Sequence, residues 1–283
     1  MSARKSLCAF PWYGGKQKHL GWLLPLLPEC HHYCEPFGGA ASVLLNRAPS
    51  PVETYNDLDG EVVNFFRVLR EQTEELTRLV ALTPYSREEF ALACEGSGNG
   101  VNDLERARRF YVRAMQSFGA SQTGGHWGTC ISTRNLHLSE KVSQWICSIG
   151  GLGVVRARLL RAQIENRPAL QVIRAYDSPD TLFYCDPPYP LQSRTAGEGY
   201  RHEMTDDQHR ELAVVLHGVE GRVAISSYPC DLMSELYADW HLFDAGDRGA
   251  GQAHSLRQHV LYTNYDPAAH GTPRLPFGER NAR

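Results

Sequence analysis

The sequence lacks several features that mark whole classes of protein. It has no run of about eighteen apolar residues, the length that a membrane-spanning helix requires. The stretch Leu20–Leu27 is too short, and too interrupted by proline, to resemble the core of a signal peptide. The eight cysteines include no Cys-x-x-Cys pair. We therefore expect a soluble, cytoplasmic chain with reduced thiols and no membrane association.

Two segments have the residue types of a known ligand site but not the full pattern. Cys30–Cys34 contains two cysteines and two histidines, yet no second ligand pair follows at a zinc-site spacing. Gly14-Gly15-Lys16 lacks the glycine and the Ser or Thr of a phosphate-binding loop, because Phe10 and Gln17 occupy those positions. We therefore predict neither a metal nor a phosphate loop.

The most informative feature is Asp186-Pro187-Pro188-Tyr189, which directly follows the apolar run Thr181–Cys185. Prolines cannot donate hydrogen bonds to a sheet, so a buried strand should end there. Such a corner suits an exocyclic amine beside an aromatic ring. The Asp186 carboxylate and the Pro187 carbonyl can each accept an amine hydrogen, and Tyr189 can stack on the ring. By itself the tetrapeptide is equally compatible with a plain turn.

A strand, a glycine turn and a helix are predicted over residues 32–45, with the turn at Glu35-Pro36-Phe37-Gly38-Gly39-Ala40. A second strand, Val52–Tyr55, ends at Asn56-Asp57. An acid about twenty residues beyond such a turn is where nucleotide-binding βαβ units contact ribose hydroxyls. The turn, the acid and the later tetrapeptide together predict a nucleotide-binding α/β fold.

Further strands are predicted at 222–227, 240–245 and 259–263, and they alternate with helices before the last two. The last two strands have no obvious helix between them, which predicts a terminal antiparallel hairpin. Helices are predicted from the capping boxes at Ser86 and Thr205 and from helical spacing over 104–118 and 154–162.

These blocks resemble the Dam-like family of DNA adenine-N6 methyltransferases, which use S-adenosylmethionine. Four blocks follow the family's order: Phe10–Lys16, Glu35–Ala40, Asn56-Asp57 and Asp186–Tyr189. Leu261–Tyr265 is a weaker match. The implied cofactor-binding residues are Trp12, Lys16, Glu35, Phe37, Gly39, Asp57 and Asp186, and the implied catalytic residues are Asp186, Pro187, Pro188 and Tyr189.

The resemblance also implies an architecture: an α/β Rossmann-like methyltransferase sheet with a terminal antiparallel hairpin, plus an inserted, mainly helical target-recognition domain. The catalytic domain would comprise residues 1–80 and 164–270, the insertion residues 81–163, and a polar tail residues 271–283. Double-stranded DNA would be the partner, in a bacterial cell or a phage-infected host, with no obligate protein partner evident.

Two positions differ from the family pattern. Ala41 stands where the family usually has a second glycine, which narrows the ligand clearance by one methyl group. Alanine favours a helix, so we expect cofactor binding to survive. His259 stands where the family usually has an acid before the final Val-Leu pair, which bears on the pairing of the C-terminal strands.

The charge distribution predicts where DNA would bind. The net charge is −3, but residues 101–170 carry ten Lys and Arg against four Asp and Glu, whereas residues 50–100 carry four against ten. The basic segment falls mostly within the implied insertion, and Gly119–Thr133 reads as a loop or hairpin. The predicted DNA contacts are Arg109, Arg113, Gln122, His126, Trp127, Arg134 and, in the loop after the tetrapeptide, Arg194.

Three other functions fit the same residues. The tetrapeptide chemistry could serve a methyltransferase acting on cytosine N4 or on an RNA adenine. It could also serve a small-molecule or protein-amide methyltransferase, in which case the basic segment would be incidental. The chain could instead be a DNA-binding regulator that retains the cofactor without turnover, although intact Lys16, Asp57, Asp186 and Tyr189 argue against this.

Overall fold

The computed structural model describes residues 6–95, 100–120, 125–133, 137–194, 200–245 and 259–270. The strands in these ranges are β1 His32–Glu35, β2 Val52–Asn56, β3 Gln163–Glu165, β4 Thr181–Cys185, β5 Arg222–Ser227, β6 His241–Asp244 and β7 Val260–Thr263. They form a single seven-stranded sheet in the order β3-β2-β1-β4-β5-β7-β6. Strands β1 to β5 are parallel, and β7 is antiparallel to both neighbours.

Helices cover the sheet and build the segment between β2 and β3. They are α1 Leu20–Leu23, α2 Ser42–Asn46, α3 Gly60–Glu71, α4 Thr73–Leu82, α5 Arg87–Cys94, α6 Asp103–Gln116, α7 Glu140–Ile149, α8 Leu152–Leu159, α9 Ala169–Tyr176, α10 Asp206–His217 and α11 Asp231–Leu236. In the described part of the chain, no helix combines the length and apolarity needed to cross a bilayer.

The predicted α/β fold with a terminal antiparallel hairpin is confirmed. Strands β1, β2, β4 and β5 lie where the sequence predicted them, and β6 pairs with β7 as the predicted hairpin. His259 does not disturb this pairing, since the Ala245 N–H donates to its carbonyl at 2.9 Å. The strand β3 was not predicted, because three residues are too few to show an alternating pattern.

The two predicted capping boxes differ in outcome. At Thr205 the side chain accepts from the Gln208 N–H and the Gln208 side chain accepts in return, so the box is complete. At Ser86 the side chain accepts from the Glu89 N–H, but the Glu89 carboxylate binds Arg108 instead, at 2.7 Å. Both residues nevertheless begin a helix, as predicted.

The glycine turn after β1 gives Ala41 an unexpected conformation. Ala41 has φ +54° and ψ +32°, so it is left-handed, and α2 begins only at Ser42. The argument that alanine suits this position by favouring a helix is therefore wrong, because the left-handed region is one that glycine enters without strain. The Ala41 methyl group is fully buried in the core, which offsets part of that strain.

The segment predicted as an inserted domain shares its core with the catalytic half. Phe65 of α3 stacks on Tyr111 of α6 at 5.4 Å, and Tyr111 in turn contacts Trp145 of α7 at 5.6 Å. These side chains belong to one buried cluster that also contains Leu44 and Tyr55 from the sheet side. The described residues of 81–163 that belong to this cluster therefore share one core with α2, α3 and the sheet.

Part of the positive charge in residues 101–170 is neutralised within the chain, since four of its ten basic residues are in ion pairs with acids. Its arginines pair with acids on α3, α5, α6 and β2, and these pairs are Arg106–Glu61, Arg106–Asp103, Arg108–Glu89, Arg108–Glu105, Arg109–Glu105 and Arg158–Glu53. Three of these pairs, Arg106–Glu61, Arg108–Glu89 and Arg158–Glu53, join the basic segment to the acidic one. The basic count is a weaker sign of DNA binding than the sequence suggested.

Candidate active site

A cavity of about 340 Å³ opens at the carboxyl ends of β1, β2 and β4. This is the edge at which open α/β sheets bind their ligands. Its walls come from the loop before α1, the glycine turn, the residues after β2, the tetrapeptide and the first part of α10. All seven predicted cofactor-binding residues line it: Trp12, Lys16, Glu35, Phe37, Gly39, Asp57 and Asp186.

Asp57 holds the glycine turn in shape. One of its carboxylate oxygens accepts the Gly39 N–H at 2.7 Å, and the other accepts the Asp59 N–H at 2.8 Å. Gly39 has φ +49°, and a Cβ there would lie 2.6 Å from the indole nitrogen of Trp12. Only glycine therefore allows the turn and the Trp12 ring to approach this closely. Burial raises the pKa of Asp57 to about 6.

Glu35 is the most buried acid of the cavity wall. It is 2% exposed and accepts a hydrogen bond from the Tyr33 hydroxyl at 2.7 Å. Burial raises its pKa from 4.5 to about 8, and neighbouring hydrogen bonds and Arg47 only partly oppose this. Burial therefore favours the protonated form of the Glu35 carboxyl.

Replacing Glu35 with glutamine is expected to flatten the dependence of stability on pH. Because the folded-state pKa is raised, the stabilisation from the Glu35 proton is fully present below pH 4.5 and is lost as the pH rises through about 8. Glutamine keeps the shape and cannot titrate. Melting temperatures from about pH 5 to about pH 9 should fall more steeply in the wild type. Parallel curves for the two proteins would contradict this assignment.

Asp186 is held from both of its oxygens. The Lys16 ammonium binds one at 2.5 Å, and the Ser226 hydroxyl donates to the other at 2.6 Å. Lys16 is 3% exposed and also donates to the Gly14 carbonyl at 2.8 Å. Burial lowers the pKa of Lys16, while the Asp186 charge opposes that shift. Lys16 thus lies in the cavity wall, but its ammonium is bound to the Asp186 carboxylate.

Tyr189 is buried, which does not support its predicted role of stacking on a substrate ring. It is 2% exposed, its ring meets Tyr228 edge-on at 4.8 Å, and its hydroxyl is 3.3 Å from Nδ1 of His259. The reason is that the chain after the two prolines packs against the residue that precedes β7. Burial and the Lys16 charge lower the pKa of His259 to about 2, so this histidine is neutral.

Arg194 is also buried, and this corrects its prediction as a phosphate contact. Its guanidinium is 2% exposed, binds both oxygens of Glu203 at 3.1 and 2.5 Å, and lies over the Tyr200 ring at 5.3 Å. Tyr200 in turn lies against Gly14, where a Cβ would meet its hydroxyl at 2.3 Å. In this arrangement Arg194 fixes the Tyr200 side of the cavity instead of facing solvent.

The other predicted DNA contacts lie in or near α6 and the loop that follows it. Arg109 binds Glu105 at 2.9 Å, and half-buried Arg113 donates to the Ala93 carbonyl at 3.2 Å. Trp127 packs against Tyr85 at 5.4 Å, whereas His126 is exposed. Gln122 and Arg134 lie outside the described residues.

The residues predicted from the sequence did not include Tyr184 or Met204, which also line the cavity. Tyr200 lines it as well, and Ser226 reaches Asp186 from the neighbouring strand. Tyr184 lies two residues before Asp186, so the alternation of β4 could have placed it on the same face. The contact of Ser226 with Asp186 depends on the register of β4 against β5, which no pattern in the sequence reveals.

The chain is similar to a known protein family, to a curated relative and to a solved structure. The family model for the D12 class of N6 adenine-specific DNA methyltransferases matches residues 12–118 and 153–248. The Type II methyltransferase M1.LlaDCHI of Lactococcus lactis subsp. cremoris is 26% identical over 282 residues, covering 90% of this chain and 94% of the relative. The solved rRNA methyltransferase aviRa from Streptomyces viridochromogenes has a TM-score of 0.32 and 13% identity, covering 85% of this chain and 80% of that chain.

The family match covers more than half of the chain and contains the glycine turn, Asp57 and the tetrapeptide. It favours adenine in DNA over the cytosine, RNA, small-molecule and non-catalytic alternatives that the sequence left open. The chain belongs to the D12 class of N6 adenine-specific DNA methyltransferases and is an adenine-specific DNA methyltransferase.

Proposed function

We propose that this enzyme transfers the methyl group of S-adenosylmethionine to N6 of an adenine that has been flipped out of duplex DNA. We further propose that it acts as a type II methyltransferase in the cytoplasm of a bacterial cell or phage-infected host, as the name of its Lactococcus relative favours. One observation carries the catalytic part of the proposal. The Asp186 carboxylate faces the same cavity as the glycine turn and Asp57.

The cavity lining fits S-adenosylmethionine chemically. Aromatic and apolar side chains, among them Trp12 and Phe37, can pack on its adenine ring, and the Asp57 carboxylate can bind hydroxyl groups. Acids on the wall complement its positive charges. When bound, S-adenosylmethionine supplies an electrophilic methyl group on a positively charged sulfur. Lys16, Glu35, Gly39 and Asp186 complete the proposed cofactor-binding set.

Asp186 is proposed to bind and orient the target amine. Its carboxylate is already held by Lys16 and Ser226, and each oxygen keeps a further lone pair for an N6 hydrogen. The Pro187 carbonyl would accept the second N6 hydrogen. Because these acceptors are fixed before the substrate arrives, orienting the amine requires little rearrangement of the protein. Tyr189 is proposed to support this corner from behind, with its ring 5.0 Å from the Lys16 ammonium.

Residues 81–163 are proposed to contact DNA around the target base. The candidate contacts are Arg109, Arg113, Gln122, His126, Trp127 and Arg134. Phosphate contacts by arginine supply much of the affinity of such interfaces. Flipping the base costs a few kcal/mol, which contacts of this kind must offset. Arg194 is not retained in this set, because it is buried against Glu203.

Methylation of plasmid DNA tests the proposed reaction directly. Unmethylated plasmid would be incubated with the enzyme and methyl-labelled S-adenosylmethionine, and its nucleosides would be separated by mass spectrometry. We expect the label in N6-methyldeoxyadenosine, at positions that single-molecule sequencing would assign to one short motif. Label in N4-methyldeoxycytidine, or no label from a folded protein that binds the cofactor, would contradict the proposal.

A further inference from the structure

Tyr184, Asp186 and Ser226 share one face of the sheet because of its register. Tyr184 and Asp186 are two residues apart along the β4 direction, so their side chains point to the same side. Strands β4 and β5 are parallel, and the last pair in their register is Cys185 with Ile225. Ser226 therefore stands beside Asp186, one step beyond that pair, on the face that Tyr184 also occupies.

The three side chains form a directed hydrogen-bond chain. The Ser226 hydroxyl lies 2.6 Å from Oδ1 of Asp186 and 3.2 Å from the Tyr184 hydroxyl. The Ser226 hydroxyl has a single proton, and it donates that proton to Oδ1 of Asp186. The Ser226 oxygen is then free to accept the Tyr184 proton. The order of donation is thus Tyr184 to Ser226 to Asp186.

Burial holds this hydrogen-bond chain in one arrangement. Ser226 is 1% exposed and Tyr184 is 2% exposed, so water does not compete for either hydroxyl. Ala224 pairs with Tyr184 across the two strands, and its small side chain leaves room for the phenol ring. On the far side of the carboxylate, Lys16 holds Oδ2. The plane of the Asp186 carboxylate is therefore fixed by one contact on each oxygen.

We propose that Ser226 is a positioning residue for methyl transfer: supported by Tyr184, it fixes the carboxylate plane of Asp186 so that the remaining lone pairs face the target amine. This inference rests on the proposed role of Asp186 as the acceptor for N6. Without the Ser226 hydroxyl, the Asp186 carboxylate can rotate about its terminal bond toward Lys16. The acceptor then no longer has a fixed direction before the adenine arrives.

The chain offers a matched control at the next position. Ser227 is also fully buried on β5, but it points to the opposite face, and its hydroxyl donates to the Tyr228 carbonyl at 2.9 Å. Ser227→Ala removes the same group from the same strand without touching Asp186. A loss of activity caused only by removing a buried strand hydroxyl would appear in both variants.

The test compares Ser226→Ala with Ser227→Ala in plasmid methylation, with separate measurements of kcat, KM for DNA and cofactor affinity. We expect kcat of Ser226→Ala to fall about 10- to 100-fold, because the variant loses a hydrogen bond to a charged acceptor. KM for DNA and the cofactor Kd should stay within about twofold, because Ser226 does not line the cavity. A kcat no lower than that of Ser227→Ala would overturn the inference.

Tyr184→Phe removes the hydrogen bond from Tyr184 to Ser226, at the other end of the hydrogen-bond chain. This variant tests the proposal if Ser226→Ala does not fold. Losing a neutral hydrogen bond should lower kcat about 2- to 12-fold, a smaller effect than that of Ser226→Ala. An unchanged kcat in Tyr184→Phe would remove Tyr184 from the proposal. Asp186→Ala distinguishes failure of the proposed function from failure of the positioning role. If Asp186→Ala keeps full activity, the proposed function fails. If Asp186→Ala is inactive and Ser226→Ala has normal activity, only the positioning role of Ser226 is overturned.

Discussion

Replacing Asp186 with alanine should lower kcat by at least about 100- to 1,000-fold, the scale seen when a preorganised polar group is removed from a reacting centre. The variant has no side-chain acceptor for N6, and the Pro187 carbonyl alone cannot orient both hydrogens. Affinity for DNA should change little, because the phosphate contacts proposed for residues 81–163 are untouched. Labelled methyl transfer and a DNA-binding titration on the same preparation measure both quantities.

The stability of this variant needs its own control, because Asp186→Ala leaves the buried Lys16 ammonium without its partner. Breaking a buried ion pair costs roughly 3–5 kcal/mol, although Lys16 can reduce the loss by giving up its proton. The double variant Lys16→Met/Asp186→Ala removes both charges and should be more stable than the single one. Both should be inactive. Recovery of activity in the double variant would show that the single variant failed only by misfolding.

Replacing Glu53 with glutamine is expected to lower stability strongly while leaving the residues of the cavity unchanged, in contrast to Asp186→Ala, which should lower kcat. The Glu53 side chain has no exposed surface and binds the Arg158 guanidinium through both oxygens, with Arg47 3.7 Å away. Glutamine would leave two nearly buried guanidinium groups without a negative partner. The free energy of unfolding should fall by roughly 3–5 kcal/mol, as for other broken buried pairs. Urea unfolding followed by two spectroscopic probes measures this loss.

An exposed ion pair of the same chain provides the comparison. Arg78 and Glu75 are 3.2 Å apart on α4, and both side chains are about 60% exposed. Glu75→Gln should change the free energy of unfolding by no more than about 1 kcal/mol. Since Glu53 does not line the cavity, Glu53→Gln should keep its kcat at temperatures where it is folded. Equal losses of stability in the two glutamine variants would show that the buried ion pairs of Glu53 contribute no more to stability than the exposed Arg78–Glu75 pair.

The local parts of the fold could be predicted from the sequence because each has a local signal. The apolar run before Asp186, the glycine turn after β1 and the Thr205 capping box all follow from residue types within a few positions. The common cavity also follows, because parallel strands bring their carboxyl ends to one edge. Contacts between residues far apart in the sequence have no such local signal. The register that places Ser226 beside Asp186 and the burial of Tyr189 under His259 depend on packing across the whole sheet.

The basic excess of residues 101–170 does not by itself identify a DNA-binding surface. Residues 101–170 are basic, and on the sequence alone that excess predicts a DNA-binding surface. In the folded chain, Arg108 and Arg158 lie against Glu89 and Glu53, both of which belong to the acidic stretch before them. Opposite excesses in neighbouring segments can therefore reflect contact between the segments. Only the pairing of individual side chains separates this case from a binding surface.

The continuous packing of Phe65, Tyr111 and Trp145 limits how residues 81–163, the segment proposed to contact DNA, could be exchanged between relatives. A recognition module with its own interior can be exchanged between relatives as a unit. Here, replacing residues 81–163 wholesale would remove the partners of α3 and leave Glu53 without Arg158. Chimeras cut at those boundaries should fail to fold, and new specificities should evolve through point changes at exposed positions on an unchanged scaffold.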